Sequence, residues 1–184
     1  MALLTLFWGT RRLARVVCAC VLMLCVLPGL AQESPMSSSE RELKAAFLYN
    51  FMLFTEWPAE TGKTLTLCVL EPDPLGHALA ALQGKAVGTR QLSVQTRSAD
   101  ALKACDAVFM AASAAGTLTR VLEGLRGKPV LTIADRPDAT RQGVVLNMAI
   151  TANRISFEAN LLAAREAHLQ ISSKLLRLAT GIIQ

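Results

Sequence analysis

Three short runs of apolar residues, separated by helix and turn signals, constrain the fold of this chain most strongly. They lie at residues 65–70, 104–110 and 129–134. Runs this continuous are typical of strands buried on both faces of a parallel sheet. Helical patterns stand between them, at residues 75–82 and 117–125. This alternation predicts an α/β fold.

The remaining segments extend this prediction. Ser39 and Glu42 form a capping box before a helix expected over residues 40–56. Residues 91–95 alternate between polar and apolar and predict an edge strand, while residues 143–150 and 154–157 predict an antiparallel hairpin turning at 151–153. A final helical region is expected over residues 158–182, with a break near residues 168–172. The fold predicted is a single α/β domain with a mostly parallel sheet, an antiparallel hairpin and helices on both faces. The apolar face of the first helix is expected at Leu43, Ala46, Phe47, Phe51 and Phe54.

The N-terminus has the features of a secretory signal peptide. Arg11, Arg12 and Arg15 precede an uninterrupted apolar run over residues 16–27, and Gly29-Leu30-Ala31 offers small residues for cleavage after Ala31. We therefore expect a signal peptide over residues 1–31, a flexible linker over 32–39 and the α/β domain over 40–184. The alternative is an uncleaved anchor, but a bilayer span needs about 20 apolar residues.

Charge argues against a nucleic-acid partner. The whole chain carries a formal charge of +5, with 19 Lys and Arg against 14 Asp and Glu, but three of the cations are the arginines of the signal peptide. Without them, 16 cations face 14 acids. A net charge of +2 is too small to steer a domain toward a polyanion.

Cysteine usage follows the same division. Of five cysteines, three lie within residues 16–27, and only Cys68 and Cys105 remain after cleavage. Two cysteines in an exported protein favour one structural disulfide. It would close a loop of 38 residues, for which chain entropy gives a stabilisation of about 4 kcal/mol. The alternative is a reactive thiol, which apolar strand surroundings disfavour.

Motifs for catalysis or metal binding are missing from the sequence. There is no Gly-x-Ser-x-Gly elbow and no phosphate-binding loop, and the glycine–lysine pairs at 84–85 and 127–128 lack the preceding glycine spacing. His77 and His168 are far apart in sequence, and the cysteines lack Cys-x-x-Cys spacing. We expect no enzyme activity, no metal and no cofactor.

An apolar stripe near the C-terminus is the strongest candidate for a binding surface. By spacing alone the stripe favours packing against the core, but a small exported domain without a catalytic set usually works by binding something. The expected contact residues are Ile171, Leu175, Leu176, Leu178 and Ile182, with Arg177 at the polar rim.

Two separated motifs carry a family resemblance. Residues 44–51 (KAAFLYNF) with 54–58 (FTEWP) resemble the opening signature of the YfiR family of periplasmic proteins. Residues 155–160 (ISFEAN) with 171–179 (ISSKLLRLA) are similar to its closing signature. The resemblance covers about residues 40–180, because further short segments fall between these motifs in the family's order: 67–70, 73–76, 105–106 and 130–133.

The resemblance implies a periplasmic repressor that is often a homodimer. It would bind the periplasmic sensory domain of an inner-membrane diguanylate cyclase of the YfiN type, lowering cyclic di-GMP and limiting biofilm formation. An outer-membrane OmpA-like lipoprotein of the YfiB type could sequester it. The family also links a disulfide to folding and redox response, which carries over to Cys68 and Cys105. A second cysteine pair of well-known members has no counterpart here.

A different class of function, a periplasmic small-molecule binder, also remains open. Asp135 follows a predicted buried strand at the carboxyl end, where open α/β sheets place their ligands. Glu158 and Asn160 could contribute further polar groups. The competing interpretation of Asp135 is that it caps the turn formed with Arg136, Pro137 and Asp138.

Overall fold

The computed structural model describes residues 36–151 and 154–184. These residues belong to one compact unit, Met36–Gln184. No helix within the described ranges is long and apolar enough to cross a membrane. The predicted signal peptide, residues 32–35 of the predicted linker and the hairpin turn at 152–153 lie outside the described residues.

The described elements alternate between strands and helices along the chain. The helices are α1 (Ser38–Leu53), α2 (His77–Ala80), α3 (Leu118–Leu125), α4 (Leu161–Glu166) and α5 (Ser173–Leu176), with 3-10 segments at Ala112–Thr117 and Thr140–Gln142. The strands are β1 (Thr55–Glu56), β2 (Thr64–Leu70), β3 (Ala86–Val87), β4 (Arg90–Arg97), β5 (Ala107–Met110), β6 (Leu131–Ala134), β7 (Leu146–Thr151), β8 (Arg154–Asn160), β9 (Gln170–Ile171) and β10 (Gly181–Ile183).

One sheet of eight strands, in the order β10-β8-β7-β6-β5-β2-β4-β3, forms the centre of the domain. Its five central strands, β4, β2, β5, β6 and β7, run parallel to one another. At the two sides of this group, β3 pairs antiparallel with β4 and β8 pairs antiparallel with β7. β10 runs parallel to β8, and a separate small sheet pairs β1 with β9. The predicted mixed α/β fold is confirmed.

The three apolar runs are the buried strands that the sequence predicts. In β2, Leu67 and Val69 belong to the core on the α1 side, while Cys68 and Leu70 belong to the core on the α3 side. β5 and β6 alternate in the same way, and every residue of both strands is buried. Helices on both faces explain why these strands show no polar alternation.

Helix α1 differs from the prediction in its start, its end and its buried face. It ends at Leu53, and residues 55–56 of the predicted helix form β1. Its N-cap is Ser37, whose hydroxyl accepts from the Glu40 N–H at 3.1 Å, so the expected cap at Ser39 is wrong. The last two residues of the predicted linker therefore belong to the helix. Phe51 is fully buried as expected and packs edge-to-face on Phe157, but Ala46 is exposed. The buried face consists of Lys44, Ala45, Leu48, Phe51 and Met52.

The two ends of the sheet agree with the prediction only in part. At one end the predicted edge strand β4 is partly covered by the short strand β3. At the other end the predicted hairpin is confirmed, with Leu146 opposite Ala159 and Ile150 opposite Ile155. The expected helical region over residues 158–182 is wrong, because β8 continues to Asn160 and only α4 and α5 are helical beyond it.

Candidate functional site

The C-terminal segment is built from two strand pairings with a short helix between them. β9 pairs with β1, and the Ser172 N–H then donates to the Phe54 carbonyl at 2.9 Å. Ser172 also caps α5, since its hydroxyl accepts from the Lys174 N–H. After α5, the Thr180 N–H donates to the Phe157 carbonyl at 2.8 Å, which starts β10. The segment is thus fixed to the domain on both sides of α5.

This arrangement divides the predicted apolar stripe into buried and exposed members. Leu175 is only 4% exposed and belongs to the core, so it is not available to a partner, which corrects the prediction at this residue. Ile171 and Leu176 are half-buried and pack against the same core. Leu178 is 71% exposed and Ile182 is 41% exposed.

We define the C-terminal surface as the exposed residues Arg177, Leu178 and Ile182. Leu175 and Leu178 differ in exposure because α5 ends at Leu176, and the Leu178 N–H closes the following turn on the Leu175 carbonyl at 2.9 Å. Ile182 lies on a strand and not on a helix, so the helical spacing of the stripe is coincidental. Another exposed apolar side chain, Leu162, lies on α4, which contacts β10.

Asp135 takes part in a buried ion-pair network at the carboxyl end of β6. Its Oδ2 lies 2.7 Å from Lys44 Nζ, and its Oδ1 accepts from the Ala112 N–H at 2.6 Å. Lys44 Nζ also lies 3.1 Å from Glu40 Oε1. The side chains of Lys44 and Asp135 are 8% and 4% exposed. Both carboxylate oxygens of Asp135 therefore have protein partners, and the group ties α1 to the sheet.

Thr140 binds both Glu158 and Asn160, the other residues considered for a small ligand. Their hydrogen-bond partners do not include Asp135. The Thr140 hydroxyl donates to Glu158 Oε2 at 2.9 Å, and Asn160 Nδ2 donates to the Thr140 carbonyl at 2.8 Å. Asn160 Oδ1 also caps α4 by accepting from the Ala163 N–H. These contacts are those of a local structural cluster.

Sequence reasoning missed Lys44 and Glu40. A signal was present: Lys44, Leu48, Phe51 and Met52 recur at helical spacing, so one lysine occupies an otherwise apolar face. A buried lysine needs a carboxylate partner, and its i−4 neighbour Glu40 is one. The second partner, Asp135, is 91 residues away and could not be found from spacing.

The disulfide between Cys68 and Cys105 is present, with the two Cα atoms 5.8 Å apart. It joins β2 to Cys105, which lies two residues before β5 begins at Ala107. Asp106 Oδ2 accepts from the Thr66 N–H at 2.7 Å, and the Asp106 carbonyl accepts from the indole N–H of Trp57 at 3.0 Å. Burial raises the pKa of the Asp106 carboxyl, while the hydrogen bond from Thr66 and the charge of Arg90 act in the opposite direction.

No metal site was found in the part of the chain that the structure describes. Within it, no group of three or more His, Cys, Asp or Glu side chains is placed to hold an ion. The two cysteines there are joined to each other, so neither offers a thiolate.

Comparisons with known proteins bear on both fold and family. A solved structure from Vibrio cholerae O1 biovar El Tor strain N16961, a conserved domain protein, aligns with a TM-score of 0.50 at 9% identity, over 77% of this chain and 60% of that one. The ABC domain in complex with L-Trp from Streptococcus pneumonia aligns with a TM-score of 0.50 at 10% identity, over 78% and 60%. The chain thus spans 60% of either structure, and identities this low show a shared fold alone.

The family model gives a more specific result. The model described as YfiR/HmsC-like matches residues 41–180, which is more than half of the chain and includes both sequence motifs. The YfiR family is one of periplasmic proteins with a regulatory and not a catalytic role. On this match the chain belongs to the YfiR/HmsC-like family.

Proposed function

We propose that this protein is a periplasmic repressor that binds the periplasmic sensory domain of an inner-membrane diguanylate cyclase and holds the cyclase inactive. It would thereby lower cyclic di-GMP and limit biofilm formation, acting by binding and not by catalysis. The observation that carries the proposal is the C-terminal surface, where Leu178 is 71% exposed beside a rim cation, Arg177. Family membership supplies the regulatory role.

The backbone of the C-terminal surface is tied to the domain by hydrogen bonds. Leu178 is held by the turn that its N–H closes on Leu175, and Ile182 by the pairing of β10 with β8. The side chain of Leu175 is buried in the core and fixes the segment to the domain. A surface ordered before binding loses little conformational entropy when a partner covers it. Burying one leucine side chain contributes about 1.5–3 kcal/mol.

Repression requires a difference in affinity between two states of the cyclase. A protein that bound the active and the inactive sensory domain equally well would shift no equilibrium. A difference of about 3 kcal/mol would give roughly 150-fold control. Burial of Leu178 and Ile182 in only one of the two states could supply a difference of this size.

The remaining features of the proposal concern location and assembly. Export by a signal peptide cleaved near Ala31 would place the protein in the periplasm, where an oxidising environment suits the Cys68–Cys105 bond. An OmpA-like lipoprotein of the outer membrane would compete for the repressor and release the cyclase. We expect a homodimer, in which both copies would present the same C-terminal surface.

The test is complementation in the host. A strain lacking the gene should have raised cyclic di-GMP, and the wild-type gene should restore the low level. Leu178→Asp should fail to restore it while retaining the wild-type melting temperature. The matched control is Thr96→Asp, which places the same charge on an exposed residue of β4 at the other end of the sheet and should complement fully.

Two results would refute the proposal. One is an unchanged cyclic di-GMP level in the deletion strain. The other is complete complementation by Leu178→Asp, which would show that the C-terminal surface is not the docking site.

A further inference from the structure

A cleft on the α3 side of the sheet lies apart from the C-terminal surface. It runs between the segment at residues 99–103 and helix α3, and its volume is about 250 Å³. Three apolar side chains at its base belong to the α3-side core, each at most 7% exposed: Leu102, Val121 and Leu125.

A glycine keeps this cleft open. Gly124 lies inside α3, and a Cβ atom built on it would meet no atom within 4 Å. Gly124 is the last residue but one of α3, so the penalty of about 0.5–1 kcal/mol for glycine in the middle of a helix is an upper bound here. Its backbone does not require a glycine, since no positive φ is found at this position. The small residue therefore leaves space between the helix and the 99–103 segment.

Three cations surround the opening. Lys103 lies on one wall, Arg120 on α3 and Lys128 after the end of α3, and Asp100 is the acid that lines the same cleft. Among the described residues, no carboxylate lies within ion-pair distance of any of the three cations. Lys128 Nζ donates to the Gly124 carbonyl at 2.7 Å, which uses one of its three donors. The cleft thus combines an apolar base with an excess of two positive charges at its rim.

We propose that this cleft binds a short amphiphilic anion, with its carboxylate or phosphate among Lys103, Arg120 and Lys128 and its apolar part over Leu102, Val121 and Leu125. The volume limits the size of the ligand. At about 30 Å³ for each water-sized group, the cleft holds roughly eight non-hydrogen atoms, which is the size of hexanoate. A charge-assisted contact at the rim and apolar burial at the base would both contribute.

The experiment is a titration of the purified protein by amide NMR, with hexanoate and butyl phosphate as probes. A ligand this small is expected to bind with a Kd in the millimolar range. Both probes should give saturable shifts at residues 99–103 and 120–128. Hexanol, which lacks the charge, and inorganic phosphate, which lacks the apolar chain, should each bind at least tenfold more weakly.

Variants test the two halves of the site separately. Gly124→Leu should fill the cleft and abolish the saturable shifts, and it should not lower the melting temperature because leucine is a better helix former. Arg120→Gln should weaken hexanoate at least threefold and leave hexanol unchanged. The matched control is Lys63→Gln, which removes an exposed cation outside the cleft and should leave both affinities unchanged.

Three results would overturn the proposal. They are the lack of any saturable shift with hexanoate and butyl phosphate, equal affinity for hexanol and hexanoate, and unaltered hexanoate binding in a folded Gly124→Leu protein. This site is independent of repression, so loss of hexanoate binding with normal complementation would leave the proposed function intact.

Discussion

Removing the cation from the buried network of α1 should cost more stability than removing the whole ion pair. Lys44 Nζ lies 2.7 Å from Asp135 Oδ2, and the two side chains are 8% and 4% exposed. Lys44→Met leaves a carboxylate buried without its cation, for which the cost is about 3–5 kcal/mol. Asp135→Leu should cost less, about 2 kcal/mol, because Glu40 still accepts from Lys44 at 3.1 Å.

The double variant Lys44→Met/Asp135→Leu should be far more stable than the sum of the two losses. No charge is then buried without a partner, and the Ala112 N–H, released from Asp135, belongs to an exposed residue and can bind water. A net loss within about 2 kcal/mol of wild type is expected. The coupling energy of the cycle is then at least about 3 kcal/mol.

Urea unfolding at neutral pH, followed by Trp57 fluorescence and circular dichroism, measures all four proteins. The slope of the unfolding free energy against urea concentration should not differ among the four proteins, because unfolding exposes nearly the same surface area in each of them. The reasoning is refuted if Lys44→Met costs less than 1 kcal/mol, or if the two single losses add within error.

Three further predictions concern stability. Asp106→Asn should raise the melting temperature at neutral pH but not below pH 3.8, the ordinary pKa of this carboxyl group. Burial raises the pKa of Asp106, so the stability of the wild-type protein falls as the pH rises from 3.8 through the raised pKa. Replacing Cys68 and Cys105 together by alanine should cost about 4 kcal/mol in urea unfolding, because the bond spans 37 residues. Leu175→Ala should cost about 2–5 kcal/mol, whereas Leu178→Ala should cost less than about 0.5 kcal/mol by the same assay.

Each of these has a clear contrary result. An Asp106→Asn gain that persists in acid would mean that burial of the charge is not its cause. Equal stability of the reduced and oxidised wild-type protein would contradict the disulfide estimate. Similar losses at Leu175 and Leu178 would contradict their placement on opposite sides of the C-terminal segment.

The centre of the sheet could be predicted because its strands carry their own signal. β2, β5 and β6 are covered on both faces, so nearly every residue is apolar and the pattern needs no knowledge of neighbours. The disulfide could also be predicted, since only two cysteines follow the predicted signal peptide.

The C-terminal region could not be predicted, because its structure depends on distant partners. Residues 170–171 and 181–183 form strands only through pairing with β1 and β8, more than 20 residues away along the chain. Local spacing at Ile171, Leu175, Leu178 and Ile182 imitates a helix, and tertiary pairing overrides it. The same limit applies to Lys44, whose burial depends on Asp135.

The charged cleft beside α3 was missed for a related reason. Gly124 and Lys128 look like ordinary helix and turn residues in the sequence, and Lys103 lies in a separate segment. Only the packing of residues 99–103 against α3 brings the three cations around one opening.

Crosslinking in the periplasm of the host tests the central claim most directly. The wild-type protein with a C-terminal tag, Leu178→Asp and Thr96→Asp would each be crosslinked, and captured membrane proteins identified by mass spectrometry. The account predicts that wild type and Thr96→Asp capture a diguanylate cyclase with a periplasmic sensory domain, and that Leu178→Asp does not. If the folded and abundant wild-type protein captures no cyclase, the repressor account is contradicted.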